Sequence, residues 1–362
     1  DEHGDAGGRS VTNELLEAFS NSENDGEGRV DAKISVLARN FAQVDAVCSL
    51  IESGSGERID EIIVDFLEVD GMRDAVKRIR EASSARAVVA SPRIIKPGEC
   101  GIWQTLLRLE PDGLLVRSTG LLHRMMELGG EGAVVEVAVV ASGEEEEGSR
   151  GVVIPELIGD FSLNVANPLS AWELLTYGCS RVTASYDLNA MGITELLESM
   201  GSVDEGAAKV DIVAHTHMPV FHTEHCVFAR YLSKGNSYLD CGHACTRHNV
   251  HLRDQNGADN LVLADMGCRN TVFSAEAQSG VHSLKEWVAV GATRFRIELV
   301  DEGPEDVELV VGGYLAALNG SQRAGEVWES LKLVRDSNGR MGGVGHGSLR
   351  NSKVRRAGEI EE

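Results

Sequence analysis

Four of the seven cysteines in this 362-residue chain fall in one window, as Cys226-x14-Cys241-x3-Cys245-x22-Cys268. Thiolates are soft ligands, and four that converge are the donor set of an iron–sulfur cluster or a structural zinc ion. A [4Fe–4S] cluster would take all four. Zinc would take the same set or exchange one for His225 or His243, and the bland alternative is a group of free thiols near a loop-rich lid. Only Cys241-x3-Cys245 is a local pair, and the Cys-x2-Cys knuckles usual for zinc are missing. This weakens the zinc reading and leaves all three open. Cys48, Cys100 and Cys179 stand alone in apolar or turn contexts and read as ordinary residues. An odd count with clustered spacing suits reduced thiols better than a disulfide framework, so an intracellular, reducing compartment is expected, whether cytoplasm or organelle.

Immediately upstream, the β-branched run Val210–Ala214 leads into His215-Thr-His217-Met-Pro-Val-Phe-His222-Thr-Glu-His225-Cys226. If the strand continues to His217, His215 and His217 share one face, because side chains alternate with period two. The sequence places that pair at the mouth of the fold. Imidazoles titrate near neutral pH, so His215, His217, His222 and His225 are candidates for positioning substrate or moving protons. They lack the His-Glu-x-x-His order of a zinc hydrolase. No Gly-x-Ser-x-Gly elbow is present, and Gly342-Gly-Val-Gly345 is not followed by the Lys-Ser/Thr of a phosphate loop. Asn164, Asn167 and Asp187 close strand-like segments, where they either cap the next helix or touch substrate. Arg253, Arg269 and Arg296 are candidate carboxylate or phosphate ligands. Arg253 and Arg269 serve equally well as neutralisers of Asp254 and Asp265.

The elements that would position these groups alternate. Strand-like runs occur at Lys33–Ala38, Asp60–Phe66, Ala87–Ala90, Gly113–Arg117, Leu157–Val165, Arg181–Ser185, Val210–Ala214 and Thr293–Leu299. Amphipathic stretches such as Phe41–Ile51, Gly71–Ala82, Ser170–Tyr177 and Ala190–Met200 lie between them. Eight strands alternating with helices predict an α/β fold, a (β/α)8 TIM-barrel-like domain over 32–320. Its cysteine-rich insertion, 218–282, falls between the seventh and eighth strands. In a second insertion, Glu131–Gly151, an extra apolar run precedes Gly143-Glu-Glu-Glu-Glu-Gly148, and that acidic run reads as a solvated loop. Residues 1–31 read as a flexible lead-in with one short helix at Asn13–Phe19, and 321–362 as a flexible extension.

The formal charge of −23 disfavours wholesale binding of a phosphate backbone. The segment Cys226–Asn270 escapes that acidity, with Arg230, Lys234, Arg247, Arg253 and Arg269 against four Asp. No run approaches the roughly 18 apolar residues of a membrane span. The start has neither an initiator Met nor a secretory signal, so the chain reads as part of a longer protein or a processed product.

The segments His217–Cys226, Asp240-Cys-Gly-His-Ala-Cys245, His251-Leu-Arg-Asp254 and Asp265-Met-Gly-Cys-Arg-Asn-Thr-Val-Phe273 together resemble the U32 peptidase family, often called collagenase-like. The likeness extends to Ser91–Glu99, Gly159–Asn167, Ser185–Asn189, Gln278-Ser-Gly280 and Phe295–Glu298. It covers about residues 33 to 320 and is nearest to the carboxyl-terminal half of long members. The family name implies proteolysis. Better understood relatives imply oxygen-independent hydroxylation instead: of cytidine in 23S ribosomal RNA, of uridine in transfer RNA, and of ubiquinone precursors. There the resemblance implies a [4Fe–4S] cluster on Cys226, Cys241, Cys245 and Cys268, with prephenate as hydroxyl donor for the RNA enzymes. Many relatives carry a further cysteine where this chain has Ala229, which leaves these four as the set. A non-catalytic half that assists an amino-terminal half of a parent protein is a third expectation.

Overall fold

The structure, a computed structural model, describes residues 32–350 apart from positions 68, 83, 139–147, 202, 236–238 and 336–342. The lead-in, its helix at Asn13–Phe19 and the acidic residues Glu144–Glu147 lie outside the described residues. In chain order the strands are β1 (Lys33–Ala38), β2 (Ile59–Val64), β3 (Arg86–Ala90), β4 (Gly113–Val116), β5 (Val134–Ala138), β6 (Ser149–Val153), β7 (Glu156–Gly159), β8 (Arg181–Thr183), β9 (Val210–Thr223), β10 (Val250–Arg253), β11 (Asp259–Ala264), β12 (Asn270–Ser279), β13 (Arg294–Glu298) and β14 (Val344–Gly345).

Eight of these, in the order β9-β13-β1-β2-β3-β4-β7-β8, pair side by side and in parallel. Pairing of Val182 with Val210 and of Thr183 with Asp211 closes the ring. The chain therefore forms a closed eight-stranded parallel barrel with helices between strands, as its alternation predicts. Helices Phe41–Glu52, Val69–Ala82, Pro168–Tyr177 and Ala190–Met200 match the amphipathic stretches. Asn40, Asn167 and Asn189 start three of them by accepting a backbone N–H three residues on.

Alternation sends Val36, Ile62, Val64, Ala87 and Val89 outward into the core beneath the helices. Leu37, Ile63, Val88, Ala90, Leu115 and Ile158 point inward and fill one side of the barrel. The other side is charged. Arg181 bonds Glu61 at 2.5 and 2.7 Å and lies 3.2 Å from Asp211, and Arg296 bonds Asp160 at 2.5 Å.

The second insertion is an antiparallel hairpin, β5 on β6. The cysteine-rich insertion grows out of the sheet itself. The strand β9 runs on past the barrel, β12 returns antiparallel to it, and β11 and β10 follow outward. The region after residue 320 departs from its expected looseness. Helix Ala324–Leu331 buries Val327 and Leu331, β14 pairs with β12, and Leu349 packs inside. Its glycines and mixed charges mask an amphipathic period that burial rewards, and the ordered unit extends to about residue 350. Among the described residues no helix is long and apolar enough to cross a membrane.

Candidate functional site

A cavity of about 430 Å³ opens at the carboxyl-terminal end of the barrel. Its floor comes from residues just after the strands: Arg39 after β1, Asp65 after β2, Arg93 after β3, Arg117 after β4, Phe161 after β7, and Glu298 closing β13. Its roof is the insertion, which contributes Cys245, Val262, Asp265, Thr271 and Phe273. Loops at this end of a (β/α)8 barrel are where such folds place their chemistry.

The floor is electrostatically matched. Buried Arg117 forks onto Asp65 with two bonds of 3.0 Å and reaches Asp160 at 2.8 Å. Burial alone would raise the pKa of Asp65, but Arg117 and Arg39 outweigh it and hold the carboxyl below its usual range. Asp160 is lowered in the same way by Arg296 and Arg117 against its burial. Glu298 accepts from Tyr186 at 2.9 Å and Thr216 at 3.1 Å, with Arg296 Nε 3.1 Å away.

The roof carries the thiols. Cys226 begins the short helix Val227–Leu232, its sulfur 3.5 Å from the Ala229 N–H. Cys226 and Cys245 pack on a small core of Phe228, Ala244, Val262 and Val272. Cys268 sits in a tight turn at φ 56°, the sparsely populated left-handed region. Asp265 supports that turn by accepting from the Gly267 and Arg269 N–H groups at 2.9 and 3.0 Å. A side chain at Gly235 would collide with the backbone of Asp240 and Cys241, so glycine there lets the chain pass close to Cys241.

Burial first, then the proximity of Cys226, Cys245 and Cys241, pushes the Cys268 thiol up to about 11. The four cysteines therefore share one electrostatic neighbourhood, and all four are half-buried. A thiol whose burial and neighbours disfavour its anion gives up the proton when a cation binds the sulfur. Among the described residues no group of three or more His, Cys, Asp or Glu is gathered tightly enough to hold a metal ion as it stands. By chemistry and neighbourhood the four thiols suit a thiolate-bound group, but they are not drawn into a coordination shell.

The four expected histidines divide. The strand β9 does continue through His217, and His215 and His217 do share a face, but it is the outer face, away from the cavity. Their Nε2 atoms lie 3.6 and 3.4 Å from one Glu302 oxygen. Thr216 between them points into the barrel to Glu298. His217 also bonds the Ser274 carbonyl at 2.8 Å. Burial opposes its charge, yet Glu302 prevails and raises its pKa, while the two imidazoles hold Glu302 well below its usual range. His225 is exposed, its N–H on Thr223. His222 stays beside the site, with Nδ1 2.8 Å from Thr271 and Nε2 3.8 Å from Asp265. Burial, then Arg93 and Arg269, pushes His222 down to about 4, and burial lifts Asp265 to about 6. Near neutral pH the contact is thus a neutral imidazole beside a carboxylate, not an ion pair.

None of the three expected arginines lines the cavity. Arg253 forks onto Asp259 rather than Asp254. Arg269 bonds Glu224 at 2.8 Å and Glu99 at 3.0 Å, tying the roof to the loop after β3, and bonds Asp265 through its backbone N–H and carbonyl rather than its guanidinium. Arg296 is enclosed with Asp160 and Glu298. Asn167 caps a helix, Asn164 ends a short turn at φ 60°, and Asp187 is exposed beside Ser185. The arginines that do line the cavity, Arg39, Arg93 and Arg117, escaped the sequence reading. Their signal was position, one or more residues past the end of a barrel strand.

These features define a TIM-barrel-like protein with a candidate site under a thiol-bearing roof. The chain belongs to peptidase family U32, whose model matches residues 156–338. No curated protein matches it. Among solved structures it is similar to the U32 peptidase Mk0906, at 14% identity over 79% of this chain and 99% of that one, TM-score 0.41. It is also similar to the YdjI aldolase from Escherichia coli K12, at 10% identity over 92% of this chain and 98% of that one, TM-score 0.38. A putative fructose-1,6-biphosphate aldolase from Coccidioides immitis shares 11% identity over 87% of this chain and 86% of that one, TM-score 0.38.

Proposed function

We propose that this U32-family protein is an enzyme that holds an iron–sulfur cluster on Cys226, Cys241, Cys245 and Cys268 and hydroxylates an aromatic substrate without oxygen. The substrate would be an RNA base or a small aromatic molecule, with prephenate as hydroxyl donor. One observation carries the reading: Cys245 lines the barrel-mouth cavity, and Cys226 and Cys241 share the neighbourhood of Cys268 with it. A cluster bound there would supply electron transfer at the cavity wall. The chain's own residues do the rest. Phe161, Phe273 and Phe66 offer flat apolar walls for a ring. His222 and Asp265 form a neutral imidazole and a carboxyl that titrates near 6, a pair suited to holding or passing a proton beside the cavity. Arg117 and Glu298 keep the floor rigid.

Anaerobic purification followed by iron, sulfide and zinc analysis tests the metal. About four iron and four sulfide per chain support the reading, and one zinc without sulfide overturns it. Mass spectrometry of ribosomal and transfer RNA from a strain lacking the protein then tests the substrate. Loss of a hydroxylated base supports an RNA target, and an unchanged RNA profile directs the search to small aromatic molecules.

A further inference from the structure

The three guanidinium groups of the cavity differ in what they have left to give. Arg117 is saturated by Asp65 and Asp160. Arg39 donates to the Leu299 carbonyl at 2.5 Å, lies 3.6 Å from Asp65 and covers the Phe273 ring at 4.8 Å. Arg93 has no carboxylate or carbonyl partner among the described residues. Its guanidinium rests 5.3 Å from the centroid of Phe161, which in turn stacks on Tyr186 at 4.1 Å.

That arrangement has a direction. Stacking on an aromatic face holds the guanidinium plane but leaves its in-plane N–H groups free, and those form the fork that grips a carboxylate or phosphate. A half-buried cation without an anion is costly, and it is retained where something supplies the missing charge. Burial, then Arg117, lowers the pKa of Arg93 and outweighs the opposing pull of Asp160 and Asp265. Asp160 and Asp265 act on Arg93 only through space and neither bonds it, so its N–H groups remain open to an anion that enters the cavity. Beyond Arg93 the wall turns apolar, with Phe66, Phe228, Val262 and Phe273.

We propose that Arg93 is the oxyanion anchor of this cavity, and that the ligand carries a carboxylate or phosphate on an aromatic or comparably apolar body. The inference rests on the cavity being the substrate site of the proposed function, but it does not require the cluster. Arg93 fixes the head group, while the phenylalanine walls take the body.

Titration calorimetry of the full chain with benzoate, phenyl phosphate and benzyl alcohol tests this. At least one anionic probe should bind, and benzyl alcohol, which lacks the charge, should bind at least about tenfold more weakly. Arg93→Met should weaken the anionic probe by about 10- to 100-fold and leave benzyl alcohol unchanged. Arg93→Lys should retain part of the affinity, since it keeps charge but loses the fork. Arg253→Met, outside the cavity, is the control and should bind as the parent does. The tighter of the two anions identifies the head group. The anchor is overturned if neither anion binds, if the neutral probe binds equally well, or if Arg93→Met binds anions like the parent. Iron and sulfide measured on the same preparations separate the two ideas. Arg93-dependent anion binding in a cluster-free protein leaves the anchor standing without the cluster, and cluster-bearing protein indifferent to Arg93 does the reverse.

Discussion

The barrel interior and the insertion above it treat polar groups in opposite ways. Inside, the guanidinium groups sit within ion-pair reach of acids: Arg181 of Glu61 and Asp211, Arg117 of Asp65 and Asp160, and Arg296 of Asp160 and Glu298, although Arg296 Nη1 and both Asp211 oxygens make no hydrogen bond. Under the roof, four thiols share one neighbourhood without a counter-charge of their own, and Arg93 rests on an aromatic ring with no acid bonded to it. A matched network rigidifies and reacts with nothing. An unmatched one waits for a ligand or a metal to complete it. The difference separates the scaffold from the site more sharply than either the sheet or the cavity does alone.

The contrast is testable by breaking each side. Replacing Cys226, Cys241, Cys245 and Cys268 together by Ser should remove all bound iron and sulfide while the barrel keeps its cooperative thermal transition, read by metal analysis and circular dichroism. If that transition disappears with the metal, the roof is not separable from the scaffold. On the matched side, Arg117→Met removes the forked partner of Asp65 and one of the two guanidinium partners of Asp160, and denaturant unfolding should show a loss of about 3 kcal/mol.

The His217–Glu302 contact lies on the outer face of β9, and its effect depends on pH. The pKa of His217 is raised above 6.5, so its stabilisation is fully present below 6.5 and is lost as pH rises through the folded value. The pKa of Glu302 is depressed below 4.5, so its share is present above 4.5 and is lost as pH falls through the folded value. His217→Gln should therefore flatten the decline in melting temperature that sets in above pH 6.5 while sparing anion binding in the cavity. A matching decline in parent and variant would remove His217 from the account. The smallest change is expected at Asn167→Ala, which deletes a helix cap and should cost about 1 kcal/mol with no effect on ligand binding. A large loss of binding there would return Asn167 to the site.

Much of this was legible from local pattern. The run Val210–Ala214 announces β9, and Asn167 and Asn189 stand where caps belong. The same-face relation of His215 and His217 follows from period two, but the choice of face does not. Barrel curvature made that choice, turning Thr216 inward and the imidazoles out to Glu302. The helix Ala324–Leu331 went unread because its apolar residues are few and its neighbours are glycine and charge. Arg269 looked available because its partners, Glu99 and Glu224, lie 170 and 45 residues away in sequence. Arg93 looked ordinary for the same reason, since a missing partner is invisible until all the others have been placed.

By itself the sequence determined the order of strands and helices, the position of the insertion before the last barrel strand, and the identity of four clustered thiols. Each of these depends on residues within one element or one loop. Only the tertiary structure decided which histidine stays by the cavity, which arginines are already satisfied and which is open, and that Cys245 faces the barrel mouth. Those outcomes depend on charges and faces brought together from segments far apart in the chain, and closure of the barrel is what brings them together.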